Sequence, residues 1–503
     1  MRRMWVSGAA IAAACVMAIA SGPKAVSGPI PGDNSRPGAS AAFTSDDGLI
    51  VAACRLVDEG KFSDAEKLLH DGGATHPAAA EMLDVIGRVR VAYSLGADAL
   101  LARLRESIPD VTAADLERWR LAGQVQYRVI DGAVAYFSRE PANVFRFCDE
   151  AMRRRRPPPE APPTWKLEDH LARVIATARR DGKPDVVPIR HRVRFTLTIP
   201  PGGEHWNKGA LVRVWLPFPQ EWERQRDVKL IGASPAYKAL APNASEKPWP
   251  GSAPQRTIYF EERLSDLSKP LIFEETFSFT SWAYYPILDA SKARPLPEDW
   301  AGGNLDQRPP HILFTPELRE TVARIVGNET NPLARARKIF HFIAGNLAYC
   351  AEEEYSTIPS LSRKALSSRR GDCGIQSMLF ITMCRAAGIP ARWQSGWETK
   401  RIGFDMHDWA EFYVRPWGWL PADPSYGLRP GNDPDVREFY FGHQDSYRMI
   451  VNTDYGALLV PPKQSLRSEP LDFQRGEVEI DGHNLYFPRW GYDFNVEWLD
   501  EGP

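Results

Sequence analysis

The chain has 503 residues, of which 43% are hydrophobic and 25% charged, as in an ordinary globular protein. At roughly 150 residues per domain, this length predicts about three domains. The 62 basic and 64 acidic residues give a net charge of −2, which argues against a nucleic-acid-binding protein. Six cysteines are too few for a disulfide-built scaffold. The body of the chain contains no apolar run of about 20 residues, the length that a membrane-spanning helix needs.

The N-terminus predicts a secretory signal peptide over residues 1–20. Two arginines precede a stretch of apolar or small residues from Met4 to Ala20. Its last three residues, Ala-Ile-Ala, have the small-x-small pattern that a signal peptidase cleaves. The alternative is a lipoprotein signal with Cys15 as the lipidated residue, although apolar residues continue beyond it. We therefore expect a secreted or periplasmic protein.

A flexible linker rich in Gly, Ser, Pro and Ala is predicted for residues 21–45. Apolar residues then recur at three-to-four spacing, which predicts a helical domain over residues 46–156. Gly60 should end its first helix. The other predicted helices begin at Ser63 or cover 97–107, 115–130 and 144–152. The sequence indicates no partner for this domain.

A change of period follows a proline-rich linker and one amphipathic helix, together residues 157–184. Apolar and polar residues alternate in several short runs separated by turn-rich loops, which predicts an all-β sandwich over residues 185–290. The predicted strands are 193–199, 211–216, 256–260 and 272–279.

Helical periodicity returns after Phe314. Thr315-Pro316 and Asn331-Pro332 each place a capping residue before a proline at the first helical position, which predicts two helix starts. Gly327 should end the first of these helices. Residues 347–350 are predicted to form a short strand.

Cys373 directly precedes a predicted apolar helix, residues 375–387, which Gly388 and Pro390 end. Unpaired backbone N–H groups at a helix start stabilise a thiolate, so the position predicts a lowered pKa for this cysteine. A thiolate nucleophile also needs a base, and the base needs an acceptor that orients it.

His407 and Asp423 can supply these two groups. His407 lies in the predicted strand 406–414, and Asp423 follows a second strand after a tight turn. Two adjacent antiparallel strands packed against the cysteine helix would bring the three side chains together. The histidine would then accept the thiol proton, and the aspartate would fix its tautomer.

These motifs together resemble the transglutaminase-like superfamily, over residues of about 315–428. The resemblance rests on four segments, 371–373, 385–396, 407–411 and 418–424, which read GDC, RAAGIPARWQSG, HDWAE and GWLPADP. It implies an α+β papain-like core at 313–430 with Cys373, His407 and Asp423 as catalytic residues. It also implies a preceding β-sandwich, as in secreted bacterial members, and a C-terminal extension at 431–503 that packs on the core.

The implied chemistry is acyl transfer from a protein or peptide amide through a thioester. Hydrolysis of a peptide or isopeptide bond is favoured because no calcium loop is visible, and a cross-linking transglutaminase is the alternative. A non-catalytic binding or scaffold protein with the same fold is the opposing hypothesis. The backbone N–H of Cys373 should hold the oxyanion, together with Tyr349 or Tyr355.

No motif for zinc or a nucleotide is present, so we expect neither metal nor cofactor. Once Cys15 is removed, five cysteines remain and one cannot pair within the chain; we expect this to be Cys373. Whether Cys54 and Cys148 pair is left open, and Cys384 is expected to be buried. Five tryptophans between residues 393 and 419 are expected to pack within the sheet rather than line a substrate cleft.

Overall fold

The computed structural model describes residues 47–73, 77–157, 165–244 and 252–499. The predicted signal peptide, Cys15 and the linker 21–45 lie outside the described residues. Helices and sheets are mixed along the described chain, as expected for an α+β protein. In these ranges no helix is both long and apolar enough to cross a bilayer.

The N-terminal part is mainly helical and contains one β-hairpin. Its elements are α1 (Gly48–Asp58), α2 (Phe62–Gly73), α3 (Pro77–Ala92), α4 (Ala97–Ser107), α5 (Ala113–Leu121), β1 (Tyr127–Ile130), β2 (Ala133–Tyr136), α6 (Val144–Phe147) and α7 (Asp149–Arg154). The helix starting near Ser63 and the helix 97–107 are confirmed, as is the end of α1 before Gly60.

Two helix predictions in this part were wrong. The helix predicted at 115–130 ends at Leu121 instead, because Gly123 turns the backbone at a φ of 66°. The chain then forms a β-hairpin whose two turn residues are Asp131 and Gly132. Both have positive φ, as the turn of a two-residue hairpin requires. The segment 144–152 is divided at Cys148, whose backbone is extended.

The middle of the chain supplies helix α8 (Leu167–Asp181) and six strands. These are β3 (Asp185–Ile199), β4 (Leu211–Pro217), β5 (Gln225–Ser234), β6 (Ala239–Leu240), β7 (Thr257–Arg263) and β8 (Leu271–Tyr284). The four strands predicted from alternation lie within or overlap β3, β4, β7 and β8. Alternating side chains of two sheets share one hydrophobic cluster that includes Phe195, Val214, Phe260 and Phe277.

The core follows with helices α9 to α12 around a four-stranded sheet. Its elements are α9 (Pro316–Val326), α10 (Pro332–Asn346), α11 (Leu361–Ser368), α12 (Cys373–Ala386), β9 (Ala391–Glu398), β10 (Asp405–Val414), β11 (Gly418–Ala422), α13 (Pro434–Arg437) and β12 (Arg448–Asn452). The sheet order is β11-β10-β9-β12 with antiparallel neighbours. Thr315 and Asn331 cap α9 and α10 as predicted. The strand predicted at 347–350 is wrong: Ala348 forms only an isolated bridge with Arg370.

The C-terminal segment contributes to more than the core. Beyond β12, strands β13 (Glu477–Ile480), β14 (His483–Leu485) and β15 (Gly491–Trp498) join the two sheets of the middle region. β13 pairs with β4, and β15 pairs with β3, which gives sheet orders β14-β13-β4-β7-β6 and β15-β3-β8-β5. Each of these sheets therefore contains strands that precede the core in the sequence and strands that follow it, whereas the predicted sandwich stops at residue 290. The predicted domain boundaries stay predictions.

Candidate active site

The cysteine helix α12 begins at Cys373, whose side chain is buried. Asp372 caps the helix, and its Oδ1 accepts the N–H of Ile375 at 3.3 Å. The N–H of Gly374 donates to the hydroxyl of Tyr355 at 3.1 Å. A Cβ at residue 374 would come within 2.4 Å of that hydroxyl, so only glycine fits here. The helix start is thus closely packed around the thiol.

His407 and Asp423 are brought together by the pairing of β10 with β11. The Nε2 atom of His407 lies 2.6 Å from Oδ2 of Asp423. That same oxygen is 2.8 Å from Nη1 of Arg448, and Oδ1 accepts from Ser425 Oγ at 2.7 Å. Burial acts to raise the pKa of Asp423, but His407 and Arg448 outweigh it and hold the pKa well below its usual range.

The thiol is directed to a different carboxylate. Cys373 Sγ donates to Oδ2 of Asp408 at 3.4 Å, and no hydrogen bond joins the described Cys373 to His407. Burial, followed by the charges of Asp408 and Asp372, raises the pKa of Cys373 well above its ordinary value. The pKa lowering expected from the helix start is therefore wrong for this arrangement, because desolvation and two carboxylates oppose the helix dipole.

Tyr355 connects the two carboxylates beside the thiol. Its Oη lies 2.7 Å from Oδ1 of Asp372 and 3.1 Å from Oδ2 of Asp408. Burial, and then the charge of a neighbouring acid, raises the pKa of both aspartates. Of the two tyrosines considered from the sequence, Tyr355 therefore reaches the cysteine helix, whereas the ring of Tyr349 lies 5.1 Å from the guanidinium of Arg146.

Sequence reasoning missed two polar residues at this site. Glu398, at the end of β9, places its Oε1 3.4 Å from Nε2 of His407. Gln474 donates to the backbone oxygen of His407 at 2.9 Å and to Oδ1 of Asp408 at 2.8 Å. Neither lies in a motif segment that would have marked it, and Gln474 reaches the site only because the C-terminal segment folds back over the core.

The helical N-terminal part contacts the loop that carries Tyr355. Asn143, almost completely buried, donates to the backbone oxygen of Ala351 at 2.9 Å and accepts from its N–H at 2.8 Å. Arg139 lies 3.4 Å from Glu354, the residue before Tyr355. The position of the tyrosine thus depends on contacts from outside the core.

The remaining sequence expectations concern metals, tryptophans and cysteines. Within the described ranges no group of His, Cys, Asp or Glu side chains is arranged to hold a metal ion. Of the five tryptophans, Trp393, Trp397 and Trp409 are buried, in agreement with packing within the sheet, whereas Trp417 and Trp419 are only half-buried. All five described cysteines are unpaired; Cys54 and Cys148 lie in separate hydrophobic clusters, and the buried Cys384 agrees with expectation.

Comparison with known proteins places the site in a family context. The profile of the transglutaminase-like superfamily matches residues 319–424. A Haemophilus influenzae protein of uncharacterised function is 29% identical over 224 residues, covering 37% of this chain and 59% of that protein. The protein-glutamine gamma-glutamyltransferase of Pseudomonas aeruginosa is 33% identical over 73 residues, covering 12% of this chain and 11% of that protein. The alignments thus span less than two thirds of either relative.

Two solved structures also match in part. One is a Cytophaga hutchinsonii protein whose assignment as a cysteine protease is provisional, with 15% identity, a TM-score of 0.42, and coverage of 63% of this chain and 93% of that one. The other is the periplasmic domain of TgpA from P. aeruginosa, with 18% identity, a TM-score of 0.26, and coverage of 51% and 96%.

Proposed function

Residues 319–424 belong to the transglutaminase-like superfamily, and we propose that this chain transfers the acyl group of a protein or peptide amide through Cys373. The observation that supports this most is the 2.6 Å contact between His407 Nε2 and Asp423 Oδ2, in the sheet that packs on the cysteine helix. This contact keeps the proton on Nε2 and leaves Nδ1 to act as a base.

Acylation begins when the Cys373 thiol exchanges its Asp408 partner for the imidazole of His407. His407 accepts the thiol proton as the sulfur adds to the amide carbonyl carbon. The C–N bond then breaks as the imidazolium protonates the leaving amine, and a thioester remains on Cys373. The proposed donors to the oxyanion are the backbone N–H of Cys373 and the hydroxyl of Tyr355, which turns its proton from Asp372 to the substrate oxygen.

Water resolves the thioester in the reaction that we favour. His407 removes a proton from water, the hydroxide adds to the thioester carbonyl, and the C–S bond breaks with return of the proton to sulfur. The product is a carboxylic acid, as from a cysteine peptidase or amidase. Transamidation is the second candidate because the P. aeruginosa relative is named a glutamine gamma-glutamyltransferase; a lysine amine then takes the place of water.

The proposed setting is secretory. The basic and apolar N-terminal residues support export, which would place the reaction in the periplasm or outside the cell. A protein or peptide in that compartment is the proposed substrate, with no metal or other cofactor in the reaction.

The test offers the purified protein a panel of glutamine-containing peptides and peptide amides, with and without a fluorescent primary amine. Hydrolysis predicts release of ammonia or cleaved peptide without amine incorporation, and transamidation predicts a labelled peptide. Cys373→Ala should abolish either product, and Cys384→Ala, a buried cysteine on the same helix, should not. If the wild type and Cys373→Ala behave alike across the panel, the protein has the non-catalytic binding or scaffold role instead.

A further inference from the structure

Glu398 presents a carboxylate to the same imidazole nitrogen as Asp423. Its Oε1 lies 3.4 Å from Nε2 of His407, whereas Oδ2 of Asp423 lies 2.6 Å from that nitrogen. Glu398 is 6% exposed, and its Oε1 has no hydrogen-bond partner in the described structure. A buried carboxylate oxygen without a hydrogen bond is costly, so its direction toward His407 needs an explanation.

The other oxygen of Glu398 is held by a buried lysine. Lys400 Nζ lies 2.6 Å from Oε2, and the lysine also contacts the hydroxyl of Tyr426. Burial alone would raise the pKa of Glu398, but Lys400, His407 and Arg448 lower it to about 2. The carboxylate is therefore ionised at neutral pH and is fixed in position by its cation.

Asp423 is likewise held by a buried cation. Nη1 of Arg448 lies 2.8 Å from its Oδ2, just as Nζ of Lys400 lies 2.6 Å from Oε2 of Glu398. The imidazole between them is confined by Tyr426, edge-on at a centroid distance of 5.4 Å, and by Trp409, stacked at 6.0 Å. Two cation-held carboxylates thus meet at one nitrogen of a ring that has little freedom to turn.

We propose that Glu398 is a second positioning carboxylate for His407. It shares the Nε2 proton with Asp423, holds the tautomer in which Nδ1 is free, and stabilises the imidazolium that forms when the thiol is deprotonated. The role in catalysis rests on the proposed function, but the role in fixing the tautomer does not.

A purely structural ion pair is the rival explanation. In that case Glu398 serves only to neutralise Lys400, and removing either partner leaves an uncompensated buried charge with the same consequence. The two explanations differ for Lys400→Met. This variant retains the carboxylate beside His407, and the charges of His407 and Arg448 still lower its pKa, so we expect Lys400→Met to retain more of the rate than Glu398→Gln.

The kinetic experiment compares Glu398→Gln, Lys400→Met, Asp423→Asn and the double variant Glu398→Gln/Asp423→Asn. Glu411→Gln is the matched control, because Glu411 is a buried carboxylate of the same sheet that pairs with Arg392 instead of the imidazole. We expect Glu398→Gln to lower kcat about ten-fold with KM unchanged, since it weakens a general base that acts only in the chemical step. Asp423→Asn should lower kcat further than Glu398→Gln does. The double variant should lower kcat further still, because in Asp423→Asn the carboxylate of Glu398 still holds the Nε2 proton of His407.

An activity-independent measurement uses the Cys373→Ala protein labelled with 15N in its histidines. The ring nitrogens of His407 report which of them carries the proton. We expect the Nε2–H tautomer with both carboxylates present, a retained fraction of it in Asp423→Asn, and its loss in the double variant. If Asp423→Asn and the double variant give the same spectrum, or if Lys400→Met and Glu398→Gln lose rate equally, the proposal is wrong. If no protein turns over any substrate, the proposed function fails while the spectra still decide this inference.

Discussion

The Sγ atom of Cys373 donates a hydrogen bond to Oδ2 of Asp408, 3.4 Å away, and Asp408 is the residue that directly follows His407. The resting thiol is thus held by a carboxylate, while the histidine is held by Asp423. This arrangement keeps the thiol protonated until its partner changes, and it makes the reactivity of Cys373 depend on Asp408.

Asp408→Asn should make Cys373 more reactive. The charge of Asp408 raises the pKa of the thiol, so its removal lowers that pKa and increases the thiolate fraction at a given pH. Because the pKa of Asp408 is itself raised, its charge and therefore the effect should grow as pH increases through the neutral range. The measurement is the rate of iodoacetamide alkylation of Cys373 at pH 6 and pH 8, followed by peptide mass spectrometry.

Asp454→Asn is the control for this prediction, since Asp454 is a half-exposed partner of Arg308. It should leave the alkylation rate of Cys373 unchanged. Slower alkylation in Asp408→Asn would mean that Asp408 acts as the base for the thiol, contrary to the role assigned here to His407.

Gly374→Ala should disrupt the cysteine helix start. The new Cβ would lie 2.4 Å from Tyr355 Oη and 2.7 Å from Asp408 Oδ2, so at least one of these side chains must move. We expect loss of the reaction and a lower melting temperature. Gly345→Ala, at an exposed helical position with no neighbouring atom within 4 Å of the new Cβ, should instead be neutral or gain up to about 1 kcal/mol from helix propensity. Equal melting temperatures and rates for the two variants would contradict the packing described at residue 374.

Glu275 is expected to make the fold less stable as pH rises. It is fully buried on β8 between Phe273 and Phe277, its carboxyl oxygens have no hydrogen-bond partner in the described structure, and burial raises its pKa well above the ordinary value. Folding therefore binds a proton that the unfolded chain releases above its ordinary pKa of about 4.3, so this group's contribution to stability falls as pH rises above that value.

Two substitutions separate the charge of Glu275 from its polarity. Glu275→Gln should reduce the loss of stability between pH 5 and pH 8, and Glu275→Leu should in addition stabilise the fold by on the order of 1–3 kcal/mol at pH 8. Melting curves across this pH range provide the measurement. Parallel curves for wild type and Glu275→Gln would show that the carboxyl does not change its protonation on unfolding.

The sequence predicted the local parts of the site, and the parts it missed depend on tertiary contacts. Thr315, Asn331 and the helix at Cys373 follow from capping and periodicity within a few residues. The direction of the Cys373 pKa shift was missed because it is set by burial and by Asp408, which is far away in the chain. The Asp131-Gly132 hairpin, in contrast, had a readable turn signal. No pattern within strands β13 to β15 identifies β3 and β4 as their distant partners.

Asn143→Ala should lower both stability and rate. The substitution removes two hydrogen bonds that hold Ala351 and leaves its half-buried N–H and C=O without these partners, at a cost of about 1 kcal/mol each. Because the same loop carries Tyr355, kcat should fall as well as stability. The rate is measured at a temperature where the variant remains folded. Asn346→Ala, an exposed residue at the end of α10, should change neither quantity. An unchanged kcat in folded Asn143→Ala would show that the loop position does not depend on this contact.

The claim that Cys373 carries the acyl group is tested most directly by measuring the mass of the protein during turnover. The protein is mixed with a peptide amide that the panel identifies as a substrate, quenched in acid within the first turnover, and analysed by intact and peptide mass spectrometry. We predict an added acyl group on the peptide that contains Cys373, removed by hydroxylamine, present in Cys384→Ala and absent in Cys373→Ala. Turnover with no acyl adduct on Cys373, or with the same rate in Cys373→Ala, would contradict it.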